Sequence, residues 1–175
     1  EMSRRGIKLL SIGRFCTAKN FDNIPNICHR LCEKGLDVYW YIIGFGSEEG
    51  LIKRKIKENR MEERVILLGK KDNPYPYIKH CDLYVQPSRF EGKCVSVREA
   101  QMLGKPVVIT DYPTAKSQLK NGIDGLIVPL KNTECADALA DILKNIRQID
   151  TISNNCKMRD YSNNDEVKKI YQLLL

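Results

Sequence analysis

The sequence predicts an α/β fold: a doubly wound, parallel six-stranded sheet with helices on both faces. Two observations carry this. Short apolar runs of three to seven residues alternate with stretches at helical spacing along the chain. The strand runs are apolar on both of their faces, as a sheet covered on each side by helices requires. Ile7 to Gly13 reads as the first strand. Asn20 to Lys34 follows as a helix, with Ile24, Ile27, Cys28 and Leu31 on one face. Val38 to Ile43 is the second strand, ending in Gly44-Phe45-Gly46, and Glu48 to Asn59 the second helix. Val65 to Leu68 is a strand closed by Gly69. A short helix around Pro76 to His80 leads to the fourth strand, Leu83 to Gln86. The helix Val95 to Leu103 is stopped by Gly104, and Pro106 to Thr110 is the fifth strand. A turn and short helix lead to the sixth strand, Leu126 to Val128. Thr133 to Ile146 is a helix with Asn132 or Thr133 as its cap. Polar residues 150–164 predict a loop, and Asp165 to Leu175 a closing helix. The division is therefore residues 1–150 as one Rossmann-like unit and residues 151–175 as a terminal loop and helix.

Composition bounds the possibilities. A chain of 175 residues with 42% hydrophobic and 29% charged residues is globular, and its length fits one domain. No apolar run approaches the roughly 18 residues of a membrane span. No charged-then-apolar leader precedes the first strand, which predicts a chain without a signal peptide. Seven cysteines, odd in number and without Cys-x-x-Cys pairs, predict reduced thiols and a cytoplasmic protein rather than a disulfide framework or a zinc site. A net charge of +7 favours anionic partners. The aromatics are not interleaved with the cations as a stacking platform needs, so nucleic acid is not the expected partner.

The polar chemistry lies at the carboxyl ends of the predicted strands, where such sheets bind ligands. With strand order 3-2-1-4-5-6, the loops after strands one and four flank one crevice. The first carries Gly13, Arg14 and Lys19, fixed positive charge suited to a diphosphate. The second carries Glu91, and Glu99 follows about one turn into the next helix. A helix N-terminus attracts phosphate, and carboxylates beside it repel phosphate. Glu91 and Glu99 therefore suit hydroxyls next to a phosphate, as a sugar and a ribose offer. Gly44-Phe45-Gly46 resembles a dinucleotide fingerprint only loosely. It follows the second strand, and no acidic residue ends a strand about twenty residues on. Its glycines are expected to permit a tight turn and a close backbone approach to a ligand. Lys70 and Lys71 are candidates for the wall of a base pocket, or plain loop lysines. His29 and His80 lack metal-ligand partners at useful spacing and read as structural. Asp111 and Asp124 read as turn formers.

Taken in order, these segments resemble the donor-binding half of family 4 retaining glycosyltransferases, enzymes of two Rossmann-like domains (the GT-B fold). The matching residues are Gly13-Arg14 with Lys19, Gly44 and Gly46, Pro87-Ser88, the Glu91 and Glu99 pair, Gly104-Lys105-Pro106, and Asn121-Gly122 with Gly125-Leu126. They span about Ile7 to Ile146. The resemblance implies that Arg14 and Lys19 hold the diphosphate and stabilise the leaving nucleoside diphosphate. It implies that Glu99 accepts ribose hydroxyls and that Glu91 meets the hydroxyls of the transferred sugar. Gly13, Gly44, Gly92 and the backbone amides of Lys93, Cys94 and Val95 complete the implied donor site. The implied donor is a UDP- or GDP-linked sugar, with no metal and no further cofactor. The implied acceptor is a carbohydrate or a lipid-linked group, held by a preceding domain, in bacterial surface polysaccharide or lipopolysaccharide synthesis. With the basic balance, this places the protein in the cytoplasm, peripheral to the inner membrane face. Members of the family usually begin with that acceptor domain, so the chain reads as a carboxy-terminal half whose last helix packs toward it. Two departures stand out: Lys93-Cys94 where the family often has an aromatic and a glycine, and Tyr112-Pro113-Thr114-Ala115 where a glycine-rich turn is common. A non-catalytic nucleotide-binding module and half of a nucleotide-sugar epimerase are the alternatives.

Overall fold

The computed structural model describes residue 2 and residues 5–162. Six parallel strands form one sheet in the order β3-β2-β1-β4-β5-β6, the order expected. The strands are β1 Ile7–Ile12, β2 Val38–Ile43, β3 Val65–Gly69, β4 Leu83–Gln86, β5 Val107–Thr110 and β6 Leu126–Val128. The helices are α1 Ile24–Glu33, α2 Glu49–Glu58, α3 Tyr75–His80, α4 Val95–Met102, α5 Ala115–Gln118, α6 Asn132–Lys144 and α7 Ile146–Met158.

Alternation along each strand divides the core between the two faces. Leu9, Trp40, Ile42, Val85 and Val108 pack with α1, α2, α6 and α7. Leu10, Tyr41, Ile43, Tyr84, Val107 and Ile109 pack with α3, α4 and α5. Both faces are sealed, which explains why the strand sequences carry so few polar residues.

One feature of the register creates the crevice. β1 pairs with β2 along its whole length, from Ile7 opposite Val38 to Ile12 opposite Ile43. It pairs with β4 only at Leu9–Leu83 and Leu10–Tyr84. Beyond that point, β1 and β4 part toward their carboxyl ends. Side chains bridge the split instead of the backbone. Ser11 Oγ donates to the Val85 carbonyl at 2.5 Å and accepts from Trp40 Nε1 at 2.9 Å. Ser96 Oγ, from the first turn of α4, donates to the Ile12 carbonyl at 3.3 Å.

Two expectations are corrected. The segment from residue 150 is helical through Met158, not a loop: α7 runs Ile146–Met158. Asn145 caps it, its side chain accepting from Gln148 N at 3.2 Å. Ile149, Ile152 and Cys156 give it an apolar stripe against α4 and α6, and its polar residues face outward or bind loop carbonyls. The second correction concerns residues 20–23. Asn20 adopts a left-handed conformation (φ 60°) between two short 3-10 turns, Thr17–Lys19 and Phe21–Asn23, and α1 starts only at Ile24, with Pro25 in its first turn. The closing helix expected at Asp165 to Leu175 lies outside the described residues.

Candidate functional site

The loops after β1 and β4 are tied to each other before any ligand is considered. Arg89 N and Phe90 N both donate to the Ala18 carbonyl, at 2.8 and 3.3 Å. Arg89 Nη1 reaches the Thr17 carbonyl at 2.6 Å, and its fork grips Asp22 at 3.0 and 3.1 Å. Asn20 Nδ2 donates to the Pro87 carbonyl at 2.8 Å. These bonds fix where Lys19 and Glu91 stand.

Lys19 Nζ meets Glu91 Oε1 at 2.6 Å, with side-chain exposures of 18% and 9%. The same oxygen accepts from Ser88 Oγ at 2.6 Å and lies 3.4 Å from Gln86 Nε2. Gln86 and Ser88 are fully buried and bonded to each other at 3.0 Å. Thr114 Oγ1 holds the Glu91 carbonyl at 2.5 Å. One carboxylate oxygen of Glu91 is thus surrounded by donors, while Oε2 has no partner among the described residues. Gly13 supports the arrangement: a Cβ there would lie 3.1 Å from Lys19 Cε and 3.3 Å from the Phe21 ring.

A neighbouring cavity of about 350 Å3 opens at the ends of β1, β2 and β3. Gly13, Arg14, Gly44, Phe45, Lys70 and Lys71 line it, so the two lysines do stand at a cavity wall. Arg14 is exposed and has no ion-pair partner among the described residues. Lys19, Glu91 and Glu99 do not line this cavity. The candidate residues therefore form two adjoining groups that share Gly13. The Gly44 reading needs refinement. Its φ is 154°, and a Cβ there would lie 1.9 Å from the Gly13 carbonyl oxygen. The close approach is to the chain's own first loop, clamped by Phe15 N to the Phe45 carbonyl at 2.8 Å.

On α4, Glu99 Oε1 accepts from Tyr75 OH at 3.0 Å. The nearby carboxylate raises the Tyr75 phenol above its ordinary pKa. Tyr75 heads α3, carries no local sequence signal, and was missed. Of the three amides expected at the start of α4, that of Cys94 is already committed. It donates to Gln118 Oε1 at 2.8 Å, and Gln118 Nε2 returns a bond to the Cys94 carbonyl at 3.2 Å. The Lys93 and Val95 amides have no acceptor among the described residues. The Cys94 side chain turns into the core, where burial raises its thiol pKa, so it does not obstruct the crevice. Gly92 is exposed beside it. Asp124 is more than a turn former. It is buried, accepts from Lys120 N at 2.6 Å and pairs with Arg159 after α7. A larger hollow of about 680 Å3 lies at the ends of β5 and β6, but no candidate donor-site residue lines it.

With this geometry in place, similarity to known proteins can be set beside it. The model of the family described as glycosyl transferases group 1 matches residues 3–159. The chain belongs to this family. It is 32% identical over 125 residues to the Campylobacter jejuni N-acetylgalactosamine-N,N'-diacetylbacillosaminyl-diphospho-undecaprenol 4-alpha-N-acetylgalactosaminyltransferase, covering 71% of this chain and 33% of that protein. It is 23% identical over 173 residues to an Escherichia coli UDP-Gal:alpha-D-GlcNAc-diphosphoundecaprenol alpha-1,3-galactosyltransferase, covering 97% of this chain and 44% of the relative. The group 1 chain thus spans well under half the length of both. Its fold matches that of Staphylococcus aureus TarM, solved with fondaparinux, alpha-GlcNAc-glycerol and UDP, at a TM-score of 0.85 and 22% identity over 96% of this chain and 35% of that one. It also matches the C-terminal domain of a group 1 glycosyl transferase from Francisella tularensis, at a TM-score of 0.75 and 19% identity, over 94% of this chain and 86% of that one. The architecture is that of a GT-B glycosyltransferase domain. Among the described residues no helix is long and apolar enough to cross a membrane.

Proposed function

We propose that this group 1 chain is the donor-binding half of a retaining glycosyltransferase. It moves a sugar from a UDP- or GDP-linked donor to an acceptor in bacterial surface polysaccharide or lipopolysaccharide synthesis. The observation that carries the reading is the Lys19–Glu91 pair at the parting of β1 and β4, with Glu91 Oε2 unengaged. The free oxygen can accept a sugar hydroxyl next to the reacting carbon. Arg14, at the neighbouring cavity, and Lys19 beside it neutralise charge that grows on the departing diphosphate, a task that a metal ion performs elsewhere. Glu99, on α4, takes the ribose hydroxyls once Tyr75 yields. The cavity lined by Lys70 and Lys71 takes the base.

The names of the relatives support an acceptor that carries a diphosphate-linked lipid, held by the other half of a two-domain enzyme. The basic surface suits work at the cytoplasmic face of the membrane. On this reading the isolated chain binds donor and does not turn over; transfer to an acceptor by this chain alone would contradict it.

Calorimetric titration with UDP, GDP and ADP in EDTA tests the site, repeated on Glu99→Gln. Binding of one diphosphate without metal, weakened about tenfold by the substitution, is expected from the loss of one charge-assisted hydrogen bond pair. Equal binding by the variant removes Glu99 from the site, and binding that requires a divalent metal sinks the metal-independent reading.

A further inference from the structure

A second hollow of about 500 Å3 lies between the first turn of α4, α5 and the segment that follows α7. We propose that it is an anion site for a phosphate group of the acceptor. The proposal rests on the reading above in supposing a phosphate-bearing acceptor; Lys93, Cys94 and Val95 border both sites, but Arg98 and Arg159 belong to the hollow alone.

Lys93, Arg98, Ser117, Arg159, Tyr161 and Ser162 face the hollow. Arg98 is partly buried and has no carboxylate partner among the described residues. Its guanidinium lies 5.2 Å from the centre of the Tyr161 ring, and that of Arg159 lies 5.3 Å from the same centre. Two guanidiniums are thus gathered on one aromatic ring, and Lys93 adds a third cation. Burial, and then Arg159, weaken the hold of Arg98 on its proton.

The carboxylates nearby are already engaged. Asp124 is buried with Arg159 and Lys120 N. Asp160, the one carboxylate lining the hollow among the described residues, accepts from Ser162 N at 2.8 Å and Ser162 Oγ at 2.9 Å within its own loop. A merely solvated basic face would leave its arginines extended in water or matched to acids. Here one is half-enclosed, unmatched and stacked. Among the described residues no free carboxylate meets Arg98, and planar guanidinium forks suit a phosphate.

The position suits an acceptor group. Lys93 follows Glu91 by two residues, and Arg98 precedes Glu99 by one, about 100° round the helix. An anion bound here would be held by residues that adjoin Glu91 and Glu99 along the chain. It would hold an acceptor phosphate near the reacting carbon while the donor phosphates stay on Arg14 and Lys19.

The test titrates the chain with glycerol phosphate and, separately, with a short prenyl diphosphate. Ionic strength is fixed, and each titration is run with and without saturating UDP or GDP. The Nε–H signals of Arg98 and Arg159 in 1H–15N spectra report on the hollow. Saturable shifts are expected in both conditions, weakened about tenfold by Arg98→Gln. Lys93→Gln, an exposed change that does not threaten folding, should weaken them too, and Arg14→Ala should not. Arg98→Lys should recover part of the binding. Tighter binding of the prenyl diphosphate identifies a lipid-linked diphosphate as the source, and tighter binding of glycerol phosphate a polyol phosphate. Absence of saturable shifts overturns the proposal. So does an equal response to sulfate, a response that vanishes when UDP or GDP fills the crevice, or affinity unaltered in both Arg98→Gln and Lys93→Gln. Failure of UDP and GDP to bind, with the phosphate response intact, would sink the donor reading and leave this site standing.

Discussion

Replacing Lys19 by Met should expose how strongly the crevice depends on its central ion pair. The pair is short, 2.6 Å, and its members are only 18% and 9% exposed, so solvent screens it weakly. Removing one partner of a fully buried pair costs about 3–5 kcal/mol, and a charge-assisted hydrogen bond is worth about 1.5–3. Here Ser88 and Gln86 still cradle Glu91 Oε1 after the loss. The expected cost of Lys19→Met is therefore near the low end, about 2 kcal/mol. Glu91→Gln leaves an ammonium that can turn toward water, for about 1 kcal/mol. The double variant leaves no stranded charge and should cost about 1.5 kcal/mol, which makes a coupling of about 1.5 kcal/mol. Urea unfolding followed by circular dichroism reads the cycle. Lys19→Met should move the midpoint down by about 1 M, for a slope typical of a small domain. Additive costs, with coupling below about 0.5 kcal/mol, would show that the pair is a surface contact of little consequence and refute the argument.

Three further outcomes can be checked on the same chain. Gly44→Ala places a methyl group 1.9 Å from the Gly13 carbonyl oxygen at φ 154°, so thermal or urea unfolding should show a loss of about 3 kcal/mol; a loss below about 1 would mean the two loops separate freely. Tyr75→Phe removes the hydroxyl that occupies Glu99 Oε1. Stability should stay within about 0.5 kcal/mol of the parent, since the ring is exposed, and nucleoside diphosphate binding should tighten; weaker binding would show that the hydroxyl itself serves the ligand. Burial raises the thiols of Cys81 and Cys135 from an ordinary 9.0 to about 12. Folding thus favours the neutral thiol, and its contribution is complete below pH 9. It is lost as the pH climbs toward 12, at about 1.4 kcal/mol per unit per thiol. Cys135→Ala should flatten that alkaline slope by one thiol's share; an unchanged slope would place Cys135 in water.

The sheet was legible because its evidence is local and repeated. Each strand is an apolar run too short for a helix, and the order 3-2-1-4-5-6 is a common solution for such a chain. Residues 146–158 were harder to place. The stripe of Ile149, Ile152 and Cys156 is present, but Thr151, Ser153, Asn154 and Asn155 between Asp150 and Lys157 diluted it. Their purpose shows only in three dimensions: Ser153 Oγ binds the Gly104 carbonyl at 2.7 Å, and Asn155 Nδ2 binds the Ile123 carbonyl at 2.9 Å. At the site, Arg14, Lys19, Glu91 and Glu99 were visible as charged residues at strand ends. Tyr75 and Thr114 were not seen as partners of the glutamates. Each meets its glutamate from a separate segment, 24 and 23 residues away, where no spacing rule reaches.

The two cations differ in a way that bears on how a diphosphate would be captured. Lys19 is neutralised by Glu91, whereas Arg14 is exposed and lacks an ion-pair partner among the described residues. An incoming diphosphate therefore meets uncompensated charge first at Arg14, where approach costs little rearrangement. To use Lys19 it must compete with a carboxylate 2.6 Å away, and its own charge would repel Glu91. Ser88 and Gln86 hold Glu91 Oε1 and Thr114 holds its carbonyl, whereas Lys19 Nζ has one such partner, so Lys19 is the partner with freedom to turn. Drawing Lys19 toward phosphate would uncover charge on Glu91 only when a donor is present. A carboxylate that becomes fully available in the same event that seats the diphosphate is suited to favour the positive character that develops on a sugar as its leaving group departs. On the proposed reading, the ion pair would balance Lys19 until a donor arrives, and donor binding would separate the two charges.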